Sequence, residues 1–188
     1  EAYLGDLVTA LSALNAGITT ILDWSHINKT KAHPDAVIHA LRDAGIRAVY
    51  AYGPNFYYAP FWYPAETANP YPEDIKRLAV QYFSSTDQLL TLALAAAGPQ
   101  FAGSVPPAVY EWRTAREVGA RISTHIGVGQ FGPGGVAALR TALQAVGSDL
   151  GSDTTYIHCS SLTDDEFKMI AATGGSASIA FPVEMQMG

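Results

Sequence analysis

The chain has 188 residues, of which 48% are hydrophobic and 15% charged, with a formal net charge of −6 at pH 7. This length and composition fit a well-buried α/β domain and exclude a disordered or fibrous chain. The negative charge gives no electrostatic reason to expect nucleic acid or an anionic membrane as a partner, and no apolar run is long enough to span a bilayer.

One pattern recurs along the chain: an amphipathic stretch, a glycine, and then a short apolar or β-branched run. In the first amphipathic stretch Leu4, Leu7, Val8, Leu11 and Leu14 share one helical face, and Gly17 follows as a C-cap. The pattern predicts six strands, over residues 18–22, 46–52, 89–96, 121–126, 155–158 and 176–181. The later helices have their apolar positions at Val37 and Leu41, Ile75 and Leu78, Trp112 and Val118, Val136 and Val146, and Phe167 and Ile170. Thr163 and Glu166 have the spacing of a capping box.

Strict alternation of helices with buried strands predicts a parallel sheet covered by helices, either doubly wound or closed as a barrel. A glycine-rich phosphate loop after the first strand would favour the doubly wound sheet, but residues 23–26 read Asp-Trp-Ser-His. A barrel is favoured because titratable residues collect near the carboxyl ends of the strands. An eight-unit barrel needs roughly 250 residues. We therefore expect an incomplete TIM-type (βα) barrel of about six parallel strands, with 1–188 as one partial domain that lacks the first and last barrel strands.

Two histidines end neighbouring predicted strands, His125 on the fourth and His158 on the fifth. Neutral imidazole binds zinc or iron, and its near-neutral titration also suits proton transfer. Each could instead be a hydrogen-bonded structural histidine, but two facing one pocket indicate function. His26 ends an earlier strand and could be either functional or structural, whereas His33 and His39 are expected to be structural.

The residues Leu14 to Asp23, the strand-end His125 and the run Ile157 to Glu166 together resemble the amidohydrolase superfamily. The similarity is to the cytosine deaminase and triazine hydrolase-like branch, and it also includes the segment from Ser178 to Gly188. The resemblance implies a hydrolase of C–N bonds other than peptide bonds, with one divalent metal, zinc or iron. It implies that His125 is a metal ligand and that His158 contacts the substrate or the metal-bound water. Such a metal lowers the pKa of bound water and supplies hydroxide.

Two departures from the family pattern, and one feature of a predicted strand, bear on this expectation. No His-x-His pair occurs, and no aspartate can follow Gly188, so this chain is expected to bind metal weakly while the complete protein binds it. Val128 stands where deaminating members have a glutamate that transfers protons, so cytosine-type deamination is in doubt, and hydrolysis of an amide, a ring C–N bond or another leaving group stays open. Two-metal members of the family usually carry a bridging lysine or glutamate on the strand that 89–96 resembles. The predicted strand 89–96 has neither residue, which favours a single-metal site.

The remaining candidate site residues have weaker sequence support than His125 and His158. Asp23, His26 and Glu184 are predicted substrate contacts, and Cys159 is predicted to be a small buried residue rather than a nucleophile. We expect a small-molecule substrate, a homo-oligomer formed through exposed sheet edges, and a cytoplasmic location because one cysteine fits a reducing compartment. Two alternatives stay open: a catalytically inactive fragment, and a metal-free α/β binding domain that uses the aromatic segment 53–72.

Overall fold

The computed structural model describes residues 1–54, 71–98, 105–128 and 135–187. Most of the aromatic segment 53–72, residues 55–70, lies outside the described residues. The chain divides into two compact units, Glu1–Ala95 and Ala96–Gly188. The first unit contains α1 Ala2–Asn15, β1 Thr20–Ser25, α2 Ala32–Ala44, β2 Arg47–Tyr52, α3 Ile75–Tyr82 and all but the last residue of β3, which runs Leu90–Ala96. The second contains α4 Val105–Glu117, β4 Arg121–Ile126, α5 Gly135–Ala145, β5 Thr154–His158, α6 Asp164–Ala172, β6 Ser176–Ser178 and α7 Phe181–Met187.

In the first unit, β1 pairs in parallel with β2, and β2 pairs in parallel with β3. The predicted apolar faces of α2 and α3 are buried, because Val37, Leu41, Ile75 and Leu78 are each no more than 1% exposed. The apolar face predicted for α1 is different. Three of its members are about half exposed or more, at 62% for Leu4, 61% for Val8 and 49% for Leu11, and the buried residue of this helix is Ala10.

In the second unit, β4 pairs in parallel with β5, and β5 with β6. Trp112 of α4 and Val136 of α5 are fully buried. Two predicted core residues are exposed: Val146, which follows the end of α5, and Phe167 on α6. The capping box is confirmed, because the Glu166 backbone N–H donates to Thr163 Oγ1 at 3.3 Å and the Thr163 N–H donates to Glu166 Oε2 at 3.2 Å.

The last predicted strand is wrong in its second half. β6 ends at Ser178, and Phe181–Met187 is an α-helix. The backbone N–H groups of Val183 and Glu184 both donate to the Ala180 carbonyl, at 2.8 and 3.0 Å. Pro182 is tolerated because a proline in the first helical turn lacks an N–H that would have no helical partner there.

The first strand begins two residues later than predicted and extends to Ser25, so Asp23 lies within β1 instead of beyond it. Six parallel strands alternating with helices are confirmed. Within the ranges that the structure describes, no helix has the length and apolar character needed to cross a membrane.

Candidate functional site

The carboxyl ends of β4 and β5 bring the two predicted functional histidines together. In the parallel register His125 lies opposite Ile157, and Ile126 opposite His158, so the two histidines are offset by one position. Their rings stack with centroids 4.9 Å apart and an interplanar angle of 28°. The strand-end position predicted from the sequence therefore places both imidazoles in direct contact.

A chain of hydrogen bonds joins Glu184, His158 and His125. His158 Nδ1 lies 3.0 Å from both carboxylate oxygens of Glu184, and His158 Nε2 lies 2.9 Å from His125 Nδ1. The side chains of His158 and Glu184 are only 11% and 9% exposed. Because buried carboxylates are stable only when they are hydrogen bonded or paired, this contact offsets the cost of burying Glu184.

The backbone at His158 has a conformation that residues other than glycine rarely adopt. His158 has φ of 76° and the next residue, Cys159, has φ of 61°. Left-handed conformations of such residues cost about 1–3 kcal/mol each and concentrate at functional sites. The Cys159 N–H donates to the Ile126 carbonyl at 2.9 Å, so the end of β4 helps to hold this turn and aims the His158 ring.

Gly127 completes the turn from the side of β4. Its carbonyl accepts from the Ser161 N–H at 2.9 Å and from Ser160 Oγ at 2.9 Å. It has φ of 62°, and a Cβ here would meet the Leu162 side chain at 2.8 Å. Glycine is required at this position for both reasons.

Cys159 is 2% exposed. Burial, with a smaller effect of the nearby Glu184 charge, raises the pKa of its thiol to about 11. Since the thiolate is the nucleophilic form, the prediction of a small buried residue is confirmed and a thiol nucleophile is disfavoured.

The other two predicted site residues belong to the first unit. Asp23 keeps part of its surface exposed, but its Oδ2 is buried and has no hydrogen-bond partner among the described residues. Burial, and next the charge of Asp6, raises the pKa of the Asp23 carboxyl to about 7. His26 is exposed, and its Nδ1 donates to the Trp24 carbonyl at 3.0 Å.

Sequence reasoning missed two buried polar residues that hold loops at the strand ends. Asn28 is 1% exposed, and its amide donates to the carbonyls of Ser25 and Gly53, both at 2.9 Å. Glu111 is fully buried and accepts from the backbone N–H groups of Ala97 and Gly98 at 3.0 and 3.1 Å. The only sequence signal is a polar residue beside a strand end or in a helix, which is too common to single them out.

The described residues do not by themselves make a metal site. Within the described ranges, no group of three or more His, Cys, Asp or Glu side chains is arranged to hold a metal ion. Zinc sites use three or four protein ligands. His125 could supply one imidazole, and the remaining ligands would have to come from elsewhere in the polypeptide.

Compared by sequence, the chain matches no family model and no curated protein. Solved structures do match. An amidohydrolase from an environmental sample of the Sargasso Sea is 21% identical with a TM-score of 0.68, over 94% of this chain and 42% of that one. A mutant of atrazine chlorohydrolase from Arthrobacter aurescens, determined with zinc and atraton, is 16% identical with a TM-score of 0.68, over 100% of this chain and 44% of that one. Guanine deaminase from E. coli is 15% identical with a TM-score of 0.67, over 99% and 45%.

At these identities the likeness establishes the fold. The chain has the fold of part of the (βα) barrel in these structures, which confirms the incomplete TIM-type barrel predicted from the sequence. The chain spans less than half the length of each of these structures.

Proposed function

We propose that the complete protein is a metal-dependent hydrolase that acts on C–N bonds other than peptide bonds in a small molecule, with water as the nucleophile. The fold supports this proposal, because structures of the same fold include an amidohydrolase and a guanine deaminase. Fold likeness alone does not imply function, so the argument depends on the chemistry of the site.

The contact between His125 and His158 carries the proposal. The two imidazoles are joined at 2.9 Å at the carboxyl ends of adjacent parallel strands, which is where (βα) barrels keep their catalytic residues. The left-handed backbone at His158 is a further cost of the kind that concentrates at functional sites.

We assign His125 as a metal ligand and His158 as the group that contacts the substrate or the attacking water. The metal, zinc or iron, would supply a water of lowered pKa in the complete protein. The described residues do not by themselves form a metal site. Asp23 and His26 remain proposed substrate contacts.

Val128 limits which group can protonate the leaving group of the substrate. It is 3% exposed and lies three residues after His125. A valine side chain cannot transfer a proton, so we propose hydrolysis of an amide, a cyclic amide or an aminated heterocycle in which His158 or another acid protonates the leaving nitrogen.

The test uses the complete coding sequence. We expect about one zinc or iron per chain after dialysis, and hydrolysis of at least one member of a panel of cyclic amides and substituted heterocycles. His125→Ala should lose most of the metal and the activity, whereas His39→Ala, which removes an exposed imidazole from α2, should retain both. A complete protein without metal and without activity on the panel would refute the proposal.

Two alternatives are that the 188-residue chain is a catalytically inactive fragment, or that it is a metal-free α/β binding domain. We expect this chain to retain well under one metal ion per polypeptide, because His125 is the one ligand we assign within it. Tight one-to-one binding by the 188-residue chain would contradict that ligand count.

We also propose a homo-oligomer in the cytoplasm. Large apolar side chains are exposed on α1 and β1, including Leu4, Val8 and Leu22, and on α7, and exposed apolar surface favours association. Sedimentation tests this proposal, and a monomer at all protein concentrations would contradict it.

A further inference from the structure

Glu184 has an unusual environment for a residue of a short terminal helix. Its side chain is 9% exposed, although its apolar neighbours on α7 face solvent, with Phe181 at 75%, Val183 at 42% and Met185 at 83%. This is the reverse of the usual amphipathic pattern, in which apolar residues are buried and charged residues are solvated. Apolar packing of the helix within the described residues therefore does not account for the buried carboxylate.

The carboxylate has one ring nitrogen as its main partner. Both of its oxygens lie 3.0 Å from His158 Nδ1, and Oε1 also accepts weakly from the Ala180 N–H at 3.4 Å. A carboxylate only accepts hydrogen bonds, so Nδ1 of His158 must carry the proton in this contact. In a neutral imidazole the other nitrogen, Nε2, then carries the lone pair.

The same reasoning extends to His125. In the neutral form of His158, Nε2 accepts in the 2.9 Å contact with His125, so Nδ1 of His125 is the donor in that form. Nε2 of His125 then carries a lone pair, which is the form that a metal ligand or a proton acceptor needs. A single carboxylate can in this way determine the tautomers of both rings.

We propose that Glu184 is a positioning residue that fixes the tautomers of His158 and His125. The carboxylate of Glu184 accepts from Nδ1–H of His158, and Nε2 of His158 accepts from Nδ1–H of His125. The tautomer assignment stands on the geometry of this chain. Its role in catalysis depends on the function proposed above. It differs from the direct substrate contact expected for Glu184 from the sequence, because the carboxylate acts through His158.

Nitrogen NMR of the 188-residue chain tests the tautomers directly. The chain has five histidines, and protonated and unprotonated ring nitrogens have well-separated resonances. At about pH 8.5, above the ordinary histidine pKa of about 6.5, we expect Nδ1 of both His158 and His125 to be protonated and Nε2 of both to be unprotonated. A proton on Nε2 of His158 would overturn the proposal without any variant.

Variants of Glu184 provide the second measurement. In Glu184→Ala the acceptor is lost, so His158 should redistribute towards the Nε2–H tautomer and His125 should follow. Glu184→Gln keeps an acceptor oxygen and should retain the original pattern at least in part. Asp165→Ala, which removes an exposed carboxylate paired with Lys168 at 2.9 Å on α6, should leave both rings unchanged. An unchanged pattern in Glu184→Ala would overturn the proposal, and if that variant does not fold, the wild-type spectrum decides.

Kinetics of the complete protein separate a positioning role from a substrate contact. Loss of a group that orients a metal-site histidine typically lowers activity by about 10- to 100-fold. We expect Glu184→Ala to show this loss in kcat with little change in KM, and Glu184→Gln to recover part of it. A rise in KM with kcat unchanged would make Glu184 a substrate contact and overturn the proposal. If the complete protein hydrolyses nothing, the proposed function fails, while the tautomer assignment is still decided by NMR.

Discussion

Replacement of Asp23 by asparagine should change how the stability of the chain depends on pH. The pKa of the Asp23 carboxyl rises from 3.8 to about 7 in the folded chain, mainly through burial and then through the charge of Asp6. A pKa raised by folding means that the folded state binds the proton more tightly than the unfolded state. The contribution of Asp23 to the free energy of unfolding should therefore be greatest below about pH 4, fall between about pH 4 and 7, and fall no further above that range.

The size of this effect follows from the two pKa values. Each pKa unit corresponds to about 1.4 kcal/mol, so ionising Asp23 in the folded chain costs at most about 4 kcal/mol. The residue is partly exposed, and water near the carboxyl would reduce the cost to about 2–4 kcal/mol. Asparagine has no ionisation to suppress, although its buried amide adds a pH-independent cost of about 1–3 kcal/mol. The slope with pH, and not the stability at one pH, is therefore the informative quantity.

Urea unfolding followed by circular dichroism at several values between about pH 4.5 and 8 measures this slope. We expect the Asp23→Asn curve to be flatter than the wild-type curve by about 2–4 kcal/mol across that range. Asp149→Asn is the matched control. Hydrogen bonds from Arg140, and next from Gln144, lower the pKa of Asp149 to about 2, so its contribution is lost only as pH falls from about 4 to 2. Parallel curves for wild type and Asp23→Asn would refute the reasoning.

Three further predictions concern the second unit. Glu166→Ala removes the acceptor that the N–H groups of Val136 and Thr163 contact at 2.9 and 3.2 Å. The free energy of unfolding should therefore fall by about 2–4 kcal/mol in urea titrations. A loss under about 0.5 kcal/mol would contradict this prediction. Trp112 is fully buried, and Trp112→Ala should cost about 3–5 kcal/mol and abolish or sharply weaken cooperative thermal unfolding. Burial raises the pKa of Cys159 to about 11. This thiol should therefore react slowly with a thiol reagent in the native chain and fully in urea, as measured by mass spectrometry. Equal rates in both states would show that the thiol is accessible.

The order of helices and strands was predictable because its signals are local. Gly45 has φ of 71° directly after α2, and Thr163 and Glu166 close the capping box that their spacing predicts. Such features depend on neighbours within about one helical turn. Residues 179–181 were predicted wrongly as strand, because an apolar run beside a proline fits more than one structure when only periodicity is considered.

Burial was less predictable than secondary structure. Leu4, Val8 and Leu11 share a helical face but remain exposed, whereas Asn28 and Glu111 are polar and buried. Periodicity identifies which residues share a face, but packing partners decide whether that face is covered. Buried polar groups depend in the same way on acceptors and donors far along the chain.

The sequence by itself determined the alternation of helices with parallel strands and the placement of His125 and His158 at strand ends, because side-chain periodicity and capping are set by near neighbours. The tertiary structure alone decided that His158 contacts His125, 33 positions away, and Glu184, 26 positions away. These contacts depend on strand register, on the left-handed turn at His158 and on the helix that carries Glu184. A hydrogen bond requires donor and acceptor to meet within about 3 Å, and only the folded backbone brings such distant residues that close.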